Sequence, residues 1–113
     1  MSRAIRLLTE YAGPTDDVSE VWPFDSTDYY ELEMGENLKR RFVSFRELAS
    51  PDALAATKTL TNDLEKRITR DCGFADTQRL VNLDPGYLTL SKFVLATTKD
   101  FAHRVYVRDG IYA

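Results

Sequence analysis

The amino-acid sequence predicts an α+β fold, and three observations carry that reading. A long helix signature runs from Ser50 to Gly73, short apolar and aromatic runs flank it, and an Asp-Gly turn stands near the last residue. Its 113 residues suit one domain with a modest core. Hydrophobic residues make up 43% and charged residues 29%, the balance of an ordinary globular domain.

Ser2 to Ala12 reads as a helix. Ala4, Leu8 and Tyr11 fall at helical spacing, with Ile5 and Ala12 beside them, and Gly13-Pro14 ends the run. Val18 to Phe24 reads as a strand with Pro23 near its end or on an edge. Asp25 to Tyr30 is polar and aromatic without a clear period, and Met34-Gly35-Glu36-Asn37 reads as a turn. Leu38 to Phe45 is a strand. Lys39, Arg41, Val43 and Phe45 share one face; Leu38, Arg40, Phe42 and Ser44 share the other.

The central helix has the clearest boundaries. Ser50 is a good N-cap, Pro51 suits the first helical position, and Asp52 complements the positive helix end. Ala56, Leu60, Leu64 and Ile68 then line one face, and Gly73 closes the helix. Arg79 to Leu83 reads as a strand, followed by an Asp84-Pro85-Gly86 turn. Leu88 to Thr98 fits a short helix or a strand. His103 to Val107 reads as a strand, and Arg108-Asp109-Gly110 turns the chain into a return strand at Ile111.

Helix, strand, strand, helix, strand is the order of a ferredoxin-like βαββαβ unit lacking its first strand. The fold expected is therefore an antiparallel or mixed sheet with helices on one face and a C-terminal hairpin cut short. The whole chain, 1–113, is expected to be a single α+β domain and a fragment of a longer one.

Composition narrows the setting. No apolar run approaches the roughly 20 residues that span a bilayer, so no membrane partner is expected. Arg3 and Arg6 interrupt the only apolar stretch that could serve as a signal peptide. Cys72 is the only cysteine, which points to a reducing cytoplasm. Net charge is −3 and unevenly spread: residues 1–38 hold 9 acidic and 2 basic side chains, residues 39–113 hold 9 acidic and 13 basic. Two faces of different charge explain this, and so does a basic surface for phosphate or nucleic acid. No stripe of Lys and Arg interleaved with aromatics singles out the second reading.

Three segments together resemble a known family: WPFDSTDYYELEMG at Trp22–Gly35, LKRRFVSF at Leu38–Phe45, and VNLDPGYLTLSKFVLATTKDFAHRVYVRDGIYA at Val81–Ala113. The chain is similar to an uncharacterised bacterial family, the domain of unknown function family 4416, over nearly its whole length. Trp22 departs from the Phe usual in that family. The resemblance implies a longer parent, with a strand before the first helix and a continuation of the strand begun at Ile111. It supplies no catalytic residues. Some members carry an automated label of GTP-binding protein.

The residues here do not spell out a conventional GTPase. A P-loop needs GxxxxGK followed by Ser or Thr. None of Gly13, Gly35, Gly73, Gly86 and Gly110 is followed by Lys, and no pair has that spacing. Thr98-Lys99-Asp100 only approximates the guanine-reading Asn-Lys-x-Asp pattern.

Other constellations remain as candidates. Asp25, Asp28 and Glu31 offer three carboxylates to Mg²⁺ or Ca²⁺, or else an Asx-turn that caps the next segment. His103, the only histidine, can serve as a general acid or base, with Asp84 as its carboxylate. Lys99, Asp100 and Arg104 surround it in sequence and suit a phosphate or carboxylate ligand. Zinc is excluded by ligand count; Mg²⁺ or a nucleotide stays open as a cofactor. Lys39, Arg40, Arg41 and Arg46 form the densest basic cluster, which strand alternation divides between two faces. Three functions survive: a binding or accessory module, a phosphate- or nucleotide-handling enzyme, and a nucleic-acid-binding module. A protein partner fits the first.

Overall fold

The computed structural model describes residues 2–23, 39–74 and 79–113. The elements are α1 (Ser2–Ala12), β1 (Thr15–Val18), β2 (Trp22–Pro23), β3 (Lys39–Arg40), β4 (Val43–Phe45), α2 (Leu54–Asp71), β5 (Gly86–Leu88), β6 (Phe93–Leu95), β7 (Tyr106–Arg108) and β8 (Ile111–Tyr112). A single 3-10 turn, Pro51–Ala53, leads into α2. The class is α+β, and the described strands form four antiparallel pairs: β1–β4, β2–β3, β5–β6 and β7–β8. Among the described residues these are separate two-stranded ladders, so a single ferredoxin-like sheet is not seen. No described helix is long and apolar enough to cross a membrane.

Two compact units emerge: Met1–Leu48 with Lys66–Val81, and Ala49–Glu65 with Asn82–Ala113. In the first, α1 buries Ala4 and Leu7. Leu7 replaces the expected Leu8 at the centre of the buried stripe, and Tyr11 stays half-exposed. The Gly13 amide closes the helix on the Thr9 carbonyl at 2.9 Å. Arg3 forms an ion pair with Asp71, and Asp71 also faces Arg67 one turn earlier at 4.0 Å.

The strand expected over Val18–Phe24 divides into β1 and β2, and the one over Leu38–Phe45 divides into β3 and β4. Both breaks meet at Ser19. Its hydroxyl accepts the Phe42 amide and its amide donates to the Phe42 carbonyl, each at 2.8 Å. The alternation survives the break, because Arg41, Val43 and Phe45 are half-buried while Arg40, Phe42 and Ser44 are exposed.

In the second unit Ser50 caps the 3-10 turn, its side chain accepting the Asp52 amide at 3.3 Å. The core is Leu54, Ala55, Ala96 and Ile111, with Tyr87, Val94 and Ala113 packed against it. Thr89 closes the β5–β6 hairpin, its Oγ1 accepting the amides of Ser91 and Lys92 at 3.2 Å each. The region left open between helix and strand is thus a hairpin. The strand expected at His103 starts later, at Tyr106, and His103 itself lies in a turn.

The Asp-Gly turn forms as expected. Asp109 (φ 52°) and Gly110 (φ 78°) both take positive φ, as a two-residue turn that matches strand twist requires. Tyr112 pairs with Tyr106 on one side and with Thr97 on the other, so the return strand is flanked on both edges.

Along α2, Leu64 and Ile68 are buried as expected, Leu60 is half-buried, and Ala56 is exposed. The buried positions also include Lys58, Thr61, Glu65 and Thr69. No strand forms over Arg79–Leu83. The reason is visible at Leu83, whose backbone groups go to side chains of α2 and not to a ladder.

Candidate functional site

Alternation in a hairpin places side chains on two faces. In β5–β6 the cross-strand pairs are Gly86 with Leu95, Tyr87 with Val94, and Leu88 with Phe93. Tyr87 and Val94 point inward to the core. Leu88 and Phe93 therefore share the opposite face, where they are 78% and 61% exposed, and Leu90 at the hairpin tip is fully exposed. Phe93 leans across Gly86: a Cβ there would meet the Phe93 ring at 2.8 Å and the Val94 carbonyl at 2.7 Å. The lack of a side chain at Gly86 is what lets the ring lie down on the strand. Further along the same unit Phe101, Val105 and Tyr106 are also exposed. Exposed apolar side chains are thus concentrated in this unit.

The polar residues expected to form an acid/base site each have partners of their own. Asp84 faces Lys58 at 3.5 Å and accepts the Asn82 side-chain amide at 2.8 Å. His103 stacks on Phe101, with ring centroids 6.0 Å apart and planes 25° from parallel. No hydrogen bond or ion pair joins the two residues. Lys99 donates its backbone amide to Thr97 Oγ1 at 3.2 Å, and Arg104 donates its own to the Phe101 carbonyl at 2.9 Å. The loop carrying Lys99, Asp100, His103 and Arg104 is thus folded back on itself. Arg104 Nε is buried with no hydrogen-bond partner among the described residues. Asp25, Asp28 and Glu31 lie outside the described residues, and among those described no group of three or more His, Cys, Asp or Glu is placed to hold a metal ion.

The family model described as Domain of unknown function (DUF4416) matches residues 1–113. The chain belongs to the DUF4416 family. No curated protein matches it, and no solved structure does.

For this DUF4416 chain, then, chemistry is read from its own side chains. Two features escaped the sequence reading. One is the uncovered face of β5–β6, hidden because Leu88 to Thr98 fitted helix and strand alike. The other is the polar group Lys58, Glu65, Leu83 and Asp84. Its signal was present: Lys58, Thr61 and Glu65 recur at the helical period, in register with Leu54, yet polar residues at that spacing ordinarily mark the solvated face.

Proposed function

We propose that this DUF4416 chain is a binding module that takes a partner polypeptide on the outward face of the β5–β6 hairpin. One observation carries the reading: both faces of a two-stranded hairpin are apolar, and only the Tyr87–Val94 face is covered by the core. Burying an exposed Leu or Phe is worth about 1.5–3 kcal/mol. Leu88, Leu90 and Phe93 together therefore offer a contact of useful strength. A polypeptide supplies the apolar side chains to meet them. A bacterial cytoplasm is the setting proposed. The exposed free thiol of Cys72 suits a reducing compartment.

The test substitutes Leu88→Asp and Leu90→Asp in the full chain. Each position is exposed, so unfolding stability should change by about 0.5 kcal/mol or less. Covalent crosslinking in cells should recover a defined protein complex with the unsubstituted chain and lose it with either variant. Complexes that are unchanged in both variants would overturn the assignment to this face. Sedimentation of the purified protein separates a second copy from a different partner.

A further inference from the structure

A second uncovered surface lies in the first unit and goes beyond that reading. The β2–β3 register places Trp22 opposite Arg40, so both side chains stand on one face. Phe42, two residues past Arg40, returns to the same face, and Ser19 fixes its backbone at both the N–H and the C=O. There the rings of Trp22 and Phe42 meet edge to face, with centroids 5.7 Å apart and planes inclined by 67°. The Arg40 guanidinium lies over the Phe42 ring at 5.8 Å. Trp22 remains 37% exposed and Phe42 61% exposed, and Lys39 is exposed beside Arg40.

We propose that this Trp22–Phe42–Arg40 face binds single-stranded nucleic acid. Aromatic rings give every base a stacking surface, guanidinium groups stack as well, and neighbouring cations meet the phosphates. The inclination of the rings decides between a strand and a single nucleotide. Planes 67° apart cannot sandwich one base, but they present separate surfaces to successive bases. Phosphates run toward Arg40, and Lys39, next along β3 on its other side, adds positive charge at that end. The opposite end of the face is acidic, with Asp16 accepting the Ser44 hydroxyl and Asp17 paired across from Ser44. Glu20 also stands exposed between β1 and β2. These carboxylates repel phosphate and keep binding weak, while the cation–phosphate contacts at the other end make it salt-sensitive.

Trp22 is the sole tryptophan, so its emission reports on this face alone. The experiment titrates a 12-nucleotide oligo-dT into the full chain at low salt. Emission should be quenched, and the affinity should fall as salt is raised. Phe42→Ala should weaken binding about fivefold or more, the size of one lost stacking contact. Lys39→Glu, at an exposed position outside the ring cluster, should weaken it as well and flatten the salt dependence. Three results would each overturn the proposal: no quenching at low salt, equal quenching by the mononucleotide dTMP, or an affinity that both variants leave unchanged while circular dichroism shows them folded. Binding seen by anisotropy of a labelled strand without a change in Trp22 emission would place the site elsewhere and overturn it too.

Discussion

Lys58 and Glu65, two turns apart on α2, hold the backbone of a single residue from both sides. The Lys58 ammonium donates to the Leu83 carbonyl at 3.1 Å, and the Leu83 amide donates to Glu65 Oε2 at 2.6 Å. The two residues are only 6% and 7% exposed. This clasp stands where a strand was expected, and it fixes the approach of the chain to the Asp84-Pro85-Gly86 turn and the hairpin after it.

Removing either arm leaves a backbone group without its partner. Lys58→Met and Glu65→Leu are each expected to lower unfolding stability by about 1–3 kcal/mol. Glu65→Gln should cost less, because its carboxamide oxygen still accepts the Leu83 amide. The Lys58–Asp84 ion pair adds little, since the Asp84 side chain is 48% exposed. Urea unfolding measures all three. Combining Lys58→Met with Glu65→Leu should cost less than the sum of the two, because both act on Leu83.

Gly86→Ala is expected to destabilise by overpacking. The new methyl would sit 2.7 Å from the Val94 carbonyl, a backbone atom that cannot swing aside. About 1–3 kcal/mol is the usual cost of forcing such a group into a packed site. Thermal unfolding gives the loss, and increased accessibility of Phe93 to solvent should accompany it.

Gly110→Ala tests a different cause. Nothing lies within 4 Å of the Cβ it would add, so its cost is conformational alone. At φ 78° a side chain should cost about 1–2 kcal/mol, and Gly110→Asn should recover part of that. The comparison is read from urea midpoints at a constant slope.

Much of this architecture was legible in the residues. The α2 boundaries followed from Ser50, Pro51 and Gly73, and the β7–β8 turn from Asp109-Gly110, because caps and tight turns are decided by local chemistry. The buried side of α2 was read one position off, at Ala56. Apolar spacing could not show that Lys58 and Glu65 face inward, since their partner is the backbone of Leu83, 18 residues beyond Glu65. The Trp22–Phe42 contact was hidden for a related reason: it depends on the pairing of β2 with β3, which no local pattern encodes. Asp84 and His103 were both visible as candidates, but their partners were not: Asp84 faces Lys58, and the His103 ring stacks on Phe101.

The glycine pattern also makes a prediction about ligands. Without a P-loop or a guanine-reading motif in this stretch of chain, GTP with Mg²⁺ should not raise the thermal midpoint. A nucleotide at about 100 times its dissociation constant would add roughly 2.7 kcal/mol, a shift of several degrees. The measurement is a thermal-shift titration with GTP, ATP and inorganic phosphate. A shift lost in Arg104→Ala would instead assign a phosphate site to the loop carrying Lys99, His103 and Arg104.

The central claim is that the outward face of β5–β6 receives a polypeptide, and site-directed photocrosslinking tests it most directly. A photoreactive amino acid is placed at Leu90, at the exposed tip, and at the control position Glu10, which is exposed on α1. The account predicts one discrete protein adduct from the Leu90 position, abolished by Leu88→Asp and absent from the Glu10 position. No adduct at Leu90, or the same adducts from both positions, would contradict it.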